Sequence, residues 1–518
     1  MEKIKNSAIE ETFKIAVANH GQNKIKEAQI LYHKVLELNP NHLGALHNLG
    51  IIFKDLGDFQ KAKDTLNKAI EININYSNAH ISLGAIYAIL EEFQKATICF
   101  EKVIEINPNT LKVHYNLGKI FKELGKNQKA KNYFEKEIAI NPNYADAHNN
   151  LGNIFKDLGE NHKAIKCYEK AVELNPDDIG INANLSALYI RALNDPEKSM
   201  NLSYKTSKIF HNKLKFINQS VSLFRLKHDV QQAQYLISKN YELEGIKQFQ
   251  KIGNEILIHK ENIANEDNFN KQISLNPDEI NSLLPFYKSD LIYQTKKISG
   301  SCINPNKNWQ DVENEYLNSS NQIMYIDDFL SEEALIELRE FCLVSKVWNK
   351  EYSNKYLGAF SDEGFISPIH FQIAIDLKQK LPKLFGPHKI EKFWGFKYDS
   401  TLGKGINIHA DFAIHNLNFW ITPDEYNNDK NSGGLKVYDA PAPDNWTFKD
   451  YNNKKDKIYD FLKDNNANCT KIPYKFNRAV LFDSAYFHET DEIDFKDEYE
   501  GRRINNTYLF GNRVVKNS

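Results

Sequence analysis

Four residues in the last quarter of the chain have the types and order to do redox chemistry: His409, Asp411, His488 and Arg503. The first two stand as His409-Ala410-Asp411. Two imidazoles and one carboxylate are the ligand set of a non-haem Fe(II) site that keeps coordination positions open. Those positions suit a chelating 2-oxo acid and dioxygen. Zn(II) would be idle in that role, because it has no redox chemistry with which to activate oxygen. Arg503 completes the set, since its planar fork can pair with the distal carboxylate of 2-oxoglutarate.

These side chains are far apart in sequence, so strands must bring them together. From Gln322 onward the chain reads as short β-type runs separated by turn signals: QIMYIDDF, KFWGFKYD (392–399), GINIHAD (405–411), NLNFWIT (416–422), GLKVYD (434–439), TKIPY (470–474), RAVLFD (478–483) and RINNTYLFG (503–511). Many short strands in under about 200 residues predict a sandwich or jelly roll. Ser331 can cap a helix after the first run. A helical insertion is expected near Lys449–Lys463. Side chains alternate along a strand, so a strand at GINIHAD would put His409 and Asp411 on one face. The same alternation puts Arg503, Asn505 and Thr507 on one face of the last strand and Arg502 on the other.

With these residues in view, 322–512 resembles the Fe(II)/2-oxoglutarate-dependent dioxygenases, near their prolyl-hydroxylase-like branch. It also looks like bacterial proteins with LNFWITPDE…SGGLKVYD…NRAVLFDSAYFHETD…RRINNTYLFG-type sequences fused to helical repeats. The resemblance implies a double-stranded β-helix, iron on His409, Asp411 and His488, and 2-oxoglutarate on Arg503. It also implies pocket roles for Tyr398, Asn418 and Trp420, and matches Ser432-Gly433-Gly434-Leu435 to a glycine turn leading into a core strand. Two features depart from the pattern. The His488–Arg503 gap is long, filled by DEIDFKDEYEG, and position 505 is Asn where some relatives place a carboxylate-binding Ser. A lone His-x-Asp arises often by chance, and His370, His388 and His415 show that His is common here. The agreement of strands, arginine and glycine turn separates this case from chance.

The N-terminal third repeats. Leu-Gly recurs at 49–50, 83–84, 117–118 and 151–152, and Leu185-Ser186 continues the 34-residue step. Ala28, Ala62, Ala96, Ala130 and Ala164 keep that step, as do Tyr32, Leu66, Phe100, Phe134 and Tyr168, with Pro at 40, 108, 142 and 176. This order resembles the tetratricopeptide repeat. Units of two amphipathic helices cannot bury their own faces and must stack into a solenoid with a concave groove. Five full repeats and a decaying sixth are expected. Asn48, Ser82, Asn116, Asn150 and Asn184 precede each Leu-Gly-type pair. The asparagines resemble the ladder of O-linked N-acetylglucosamine transferase repeats, which implies a groove for an extended peptide. An amide offers a donor and an acceptor, as a peptide unit does. Solvation of the inner face in an Asn-rich chain is the plainer explanation of the same residues. His80, His114 and His148 also recur and are expected to pack, not to bind metal.

The expected organisation is an α-solenoid over 9–194, a helical spacer over 195–320 packed beside the last repeats, and a dioxygenase domain over 321–518. The 66 basic and 68 acidic residues leave a net charge of -2, which argues against nucleic acid and anionic membrane partners. Five scattered cysteines without a CxxC pair suit a reducing compartment. No leader or apolar span is legible, so a cytoplasmic protein is expected. The functional expectation is an oxygenase that hydroxylates a protein or peptide residue held in the repeat groove. A small metabolite or glycan substrate, a repeat adaptor with an inactive oxygenase domain, and a metal-only cupin-like enzyme remain open. The last would leave Arg503 without a role.

Overall fold

A computed structural model of the protein describes residues 2–192, 196–213, 220–261, 272–399 and 405–513. The chain divides into two compact units, Met1–Asn175 and Pro176–Ser518.

The first unit is a solenoid of five antiparallel helix pairs, running from Glu2–Gly21 with Ile25–Leu38 to Ala145–Asp157 with Asn161–Leu174. Its recurrent residues have one steric cause. A Cβ on Gly50 would lie 2.7 Å from Leu66, on Gly118 2.6 Å from Phe134, and on Gly152 2.6 Å from Tyr168. The large side chain of each second helix therefore sits where a first-helix side chain would be. The repeated alanines are fully buried at the same crossings. His80 and His148 each place Nε2 2.8 Å from a carbonyl six residues earlier, on Ile74 and Pro142, and so tie a helix to the loop before it.

The second unit contains twelve described strands. β1 (Ser220–Ser222) and β2 (Gln272–Ser274) make a small ribbon. The others are β3 (Ile323–Ile326), β4 (Lys350–Tyr352), β5 (Tyr356–Phe360), β6 (Ile390–Tyr398), β7 (Ala413–Trp420), β8 (Leu435–Pro441), β9 (Cys469–Ile472), β10 (Ala479–Asp483), β11 (Tyr486–Thr490) and β12 (Ile504–Asn512). They form a seven-stranded antiparallel sheet, β3-β10-β7-β12-β6-β5-β4, and a three-stranded one, β11-β8-β9. Phe396, Tyr398, Trp420, Val480 and Phe482 of the large sheet share an apolar cluster with Leu435, Val437 and Ile472 of the small one.

The described residues of 195–320 share a core with the segments that follow and do not stand apart as a spacer, so the expected boundaries shift. Phe224, Leu226, Leu236, Phe249 and Phe286 belong to one core cluster with Phe341, Leu377, Phe393 and Tyr508. The amphipathic helices Leu223–Ser238 and Ile246–Glu261 need cover, and they find it within this core. The sixth repeat-like pair, Ile179–Ala192 and Pro196–Lys213, also falls in this unit. Its first helix packs on β6, and Arg191 pairs with Glu391 at 2.6 Å. Part of the polar stretch Asn262–Asn308 lies outside the described residues.

The segment 405–411 differs from expectation. It is not a strand; only His409 makes a bridge, to His488. The insertion, folded as Phe448–Asn453 and Lys455–Asp464, supplies what a neighbouring strand would. Ala410 N–H donates to the Tyr451 carbonyl at 3.2 Å, and Asn452 Nδ2 donates to the Ala410 carbonyl at 3.2 Å. Ile408, Ala410 and Phe487, which flank the candidate ligands, pack against Tyr451, Ile458 and Leu462.

Candidate metal centre

His409, Asp411 and His488 converge, with one ligand atom from each lying within 4.8 Å of the others. The backbones of the two histidines exchange both hydrogen bonds, and their rings sit 4.3 Å apart between centroids. Each ring is oriented the same way. His409 Nδ1 is 2.8 Å from the Asn407 carbonyl and His488 Nδ1 is 3.0 Å from the Tyr486 carbonyl. A carbonyl can only accept, so Nδ1 carries the proton and Nε2 keeps its lone pair for a metal. His488 Nε2 lies 3.5 Å from Asp411 Oδ2. Burial, with His409 beside it, holds the His488 pKa well below the ordinary imidazole value, which keeps the ring neutral. Burial also raises the Asp411 pKa, against the pull of His409 and a hydrogen bond from Asn416. Two imidazoles and a carboxylate in one pocket fit a divalent cation whose charge would offset that desolvation.

Asn416 was not anticipated. Its Nδ2 donates to Asp411 Oδ2 at 2.7 Å. It stands on β7 one alternation step before Asn418, so extending that face by two residues would have found it.

Arg503 lies just before β12 and is 1 % exposed. Its Nε donates to the Gly433 carbonyl at 2.6 Å and a terminal nitrogen donates to the Gly434 carbonyl at 3.3 Å. The glycine turn thus brackets the guanidinium. Gly433 needs its positive φ of 77°, and a Cβ on Gly434 would lie 1.9 Å from the Ile472 carbonyl. The rings of Tyr398, Trp420 and Tyr474 surround the cation at 4.7, 5.6 and 6.0 Å. Among the described residues no carboxylate comes within ion-pair distance of it. Burying a charge costs several kcal/mol, which two carbonyls, the Asn505 amide oxygen and the aromatic rings offset without neutralising it. Such a site is suited to an incoming anion. Arg502 faces the other way, with two nitrogens on Gln231 Oε1 at 3.0 and 2.7 Å and Asp399 at 3.6 Å.

One cavity of roughly 340 Å³, its mouth included, is lined by all three candidate ligands together with Arg503, Tyr398, Asn418 and Asn505. Asn505 Oδ1 accepts from Arg503 at 3.4 Å, Asn418 Nδ2 donates to Thr507 at 3.0 Å, and Tyr398 Oη approaches Thr490 at 3.5 Å. Trp420 stands behind Arg503 and does not line the cavity. The sequence reading did not include Thr490 or Trp394, which also line it.

The repeat asparagines lie apart from this centre. Asn48, Asn116 and Asn150 are half-buried on first helices of the solenoid. Asn48 donates to Tyr32 Oη at 3.1 Å, and Asn150 to Tyr115 Oη at 3.3 Å and the Asp146 carbonyl at 2.9 Å. Asn184 is on the helix Ile179–Ala192, in the second unit.

Comparison with known proteins identifies the first unit. Family models described as tetratricopeptide repeat match residues 43–75, 77–110 and 145–178, and one described as TPR repeat matches 118–159. Residues 43–178 therefore carry tetratricopeptide repeats, a module of protein–protein interaction. Among solved structures the chain is similar to MamA (26% identity, TM-score 0.30, covering 31% of this chain and 95% of that one). It is similar to Pseudomonas aeruginosa pilF (16%, 0.37, 40% and 95%) and to YrrB, a TPR protein with an unusual peptide-binding site (21%, 0.30, 34% and 91%). No curated protein matches the chain. No helix among the described residues is long and apolar enough to cross a membrane.

Proposed function

We propose that the chain is an Fe(II)- and 2-oxoglutarate-dependent oxygenase that hydroxylates a protein or peptide residue captured through its repeats. One observation carries this reading: a two-His, one-carboxylate cluster whose Nδ1 atoms are taken by carbonyls shares a cavity with a buried guanidinium that no carboxylate among the described residues pairs. The two antiparallel sheets around a shared apolar cluster support a double-stranded β-helix.

His409, Asp411 and His488 would hold Fe(II), which when bound supplies the activation of dioxygen. The overall change balances as R–H + O2 + 2-oxoglutarate giving R–OH + succinate + CO2. Arg503 fixes the distal carboxylate, with Asn505 on its flank and Tyr398 stacked on the guanidinium. Phe396 and Leu435 give the cavity an apolar wall. Asn416 and the Asn407 and Tyr486 carbonyls hold the ligands in register. The repeats recruit the protein partner, with Asn48, Asn116 and Asn150 as candidate contacts to an extended peptide.

Anaerobic titration with Fe(II) and 2-oxoglutarate tests the centre. A metal-to-ligand charge-transfer band is expected. Its absence, or its survival unchanged in Asp411→Ala, would sink the assignment. The repeats also favour a second reading, an adaptor without turnover; the same titration separates it. Asn116→Ala with Asn150→Ala should weaken substrate capture and spare uncoupled 2-oxoglutarate turnover.

A further inference from the structure

Asp411 lines two cavities of the described residues. The first contains Arg503 and the three candidate ligands. The second, of roughly 370 Å³ with its mouth, is lined by Asp411, Phe412, Ala442, Pro443, Asp444, Trp446, Tyr451 and Arg513, and lacks Arg503. We propose that this second cavity receives the target residue, an apolar peptide side chain, while Arg513 and Asp444 read the peptide group beside it. This rests on the oxygenase reading and extends it to the substrate.

Three features carry the proposal. Asp411 lines both cavities, so a side chain seated in the second would lie beside a candidate ligand and outside the 2-oxoglutarate pocket. Four of the second cavity's eight lining residues, Phe412, Ala442, Pro443 and Trp446, are apolar or aromatic and form a wall that suits a hydrocarbon side chain. At the mouth Arg513 and Asp444 stand 3.5 Å apart, with the Asp444 side chain 86% exposed. An exposed pair of this kind is weak and readily exchanged. It presents donors and an acceptor side by side, the complement of a peptide C=O and N–H. Because the two charges face each other, the pair gives little net attraction to a cationic or anionic side chain. The Arg513 backbone is fixed by its N–H bond to the Phe412 carbonyl at 3.1 Å, so the guanidinium is carried on the cavity wall itself.

The test uses full-length protein loaded with Zn(II) and 2-oxoglutarate, which can bind without turning over. Fluorescein-labelled nonapeptide pools, random except for a central Pro, Leu, Asp or Lys, are titrated by anisotropy. Pro or Leu pools are expected to bind roughly tenfold tighter than Asp or Lys pools. Arg513→Gln and Trp446→Phe should each reduce that binding several-fold and leave the Fe(II)–2-oxoglutarate band unchanged. Equal binding across pools, preference for Asp or Lys, no binding beside a normal band, or indifference to Arg513→Gln overturns the subsite. A missing band in the unaltered protein overturns the oxygenase reading instead.

Discussion

His409 and His488 donate their backbone N–H groups to each other's carbonyls, at 3.0 and 2.8 Å. The pairing makes no use of an ion. Together with the two Nδ1–carbonyl bonds, it sets both imidazoles before any metal arrives. Hydrogen exchange should therefore show the His409 and His488 amides protected in metal-free protein, with little gain when Fe(II) is added. Rapid exchange of both amides without metal would show that the ion builds the site.

Asn416 holds one oxygen of Asp411 and so orients the carboxylate. Loss of such a partner typically costs 10- to 100-fold in metal affinity. Asn416→Ala should weaken Fe(II) or Co(II) binding by about that factor in calorimetric titration, with an unchanged melting profile. Asn452→Ala, which releases the Ala410 carbonyl, is expected to act in the same direction and more weakly.

Arg503 and Arg502 are adjacent and buried, but they face opposite ways. Arg503→Lys keeps the charge and loses the fork, so the KM for 2-oxoglutarate should rise roughly 10- to 100-fold with metal affinity unchanged. Arg502→Lys disturbs Gln231 and Asp399 instead. It should lower stability and leave that KM within about twofold. Equal effects of the two on KM would contradict the assignment of faces.

In the solenoid, Gly118→Val would drive a side chain into Phe134. Overpacking of this kind costs about 1–3 kcal/mol. Thermal melting followed by circular dichroism should show the loss, and adding Phe134→Leu should recover part of it.

His211, His228 and His370 are buried and their pKa values are pushed down to about 3 by burial. Unfolded, each titrates near 6.5. Below that pH the unfolded chain binds protons that the folded one refuses, so stability present above about pH 6.5 is lost as pH falls towards 3. Each group removes up to about 1.4 kcal/mol per pH unit. Urea unfolding at pH 7 and pH 5 should show the drop. His370→Phe, placed among Phe341, Phe365 and Phe393, should make it shallower.

The 34-residue period was legible because each Leu-Gly and each aromatic meets its partner about half a repeat away, a short-range constraint. Strand alternation likewise separated Arg503 from Arg502 without any knowledge of the neighbours. The role of 405–411 was not legible: its hydrogen bonds go on one side to Ser484, His488 and Thr490 and on the other, at Ala410, to Tyr451 and Asn452 of an insertion, and no local pattern announces that. The place of 195–320 was hidden for a related reason. Amphipathic helices state that they have an apolar face, but not what covers it. Gly433 and Gly434 were visible as a turn, whereas their carbonyls' grip on Arg503 emerges only when two distant segments meet.

The helix Ile179–Ala192 is spelled as the opening of a sixth repeat and built as a buttress of β6. The solenoid unit is thus one hairpin shorter than its spelling. Trimming the chain after residue 175 should release an intact second unit, whereas trimming after residue 213 would strip β6 of its cover and strand Glu391, a carboxylate only 7% exposed, without Arg191. Limited proteolysis should find the durable C-terminal fragment beginning near Pro176, ahead of that hairpin.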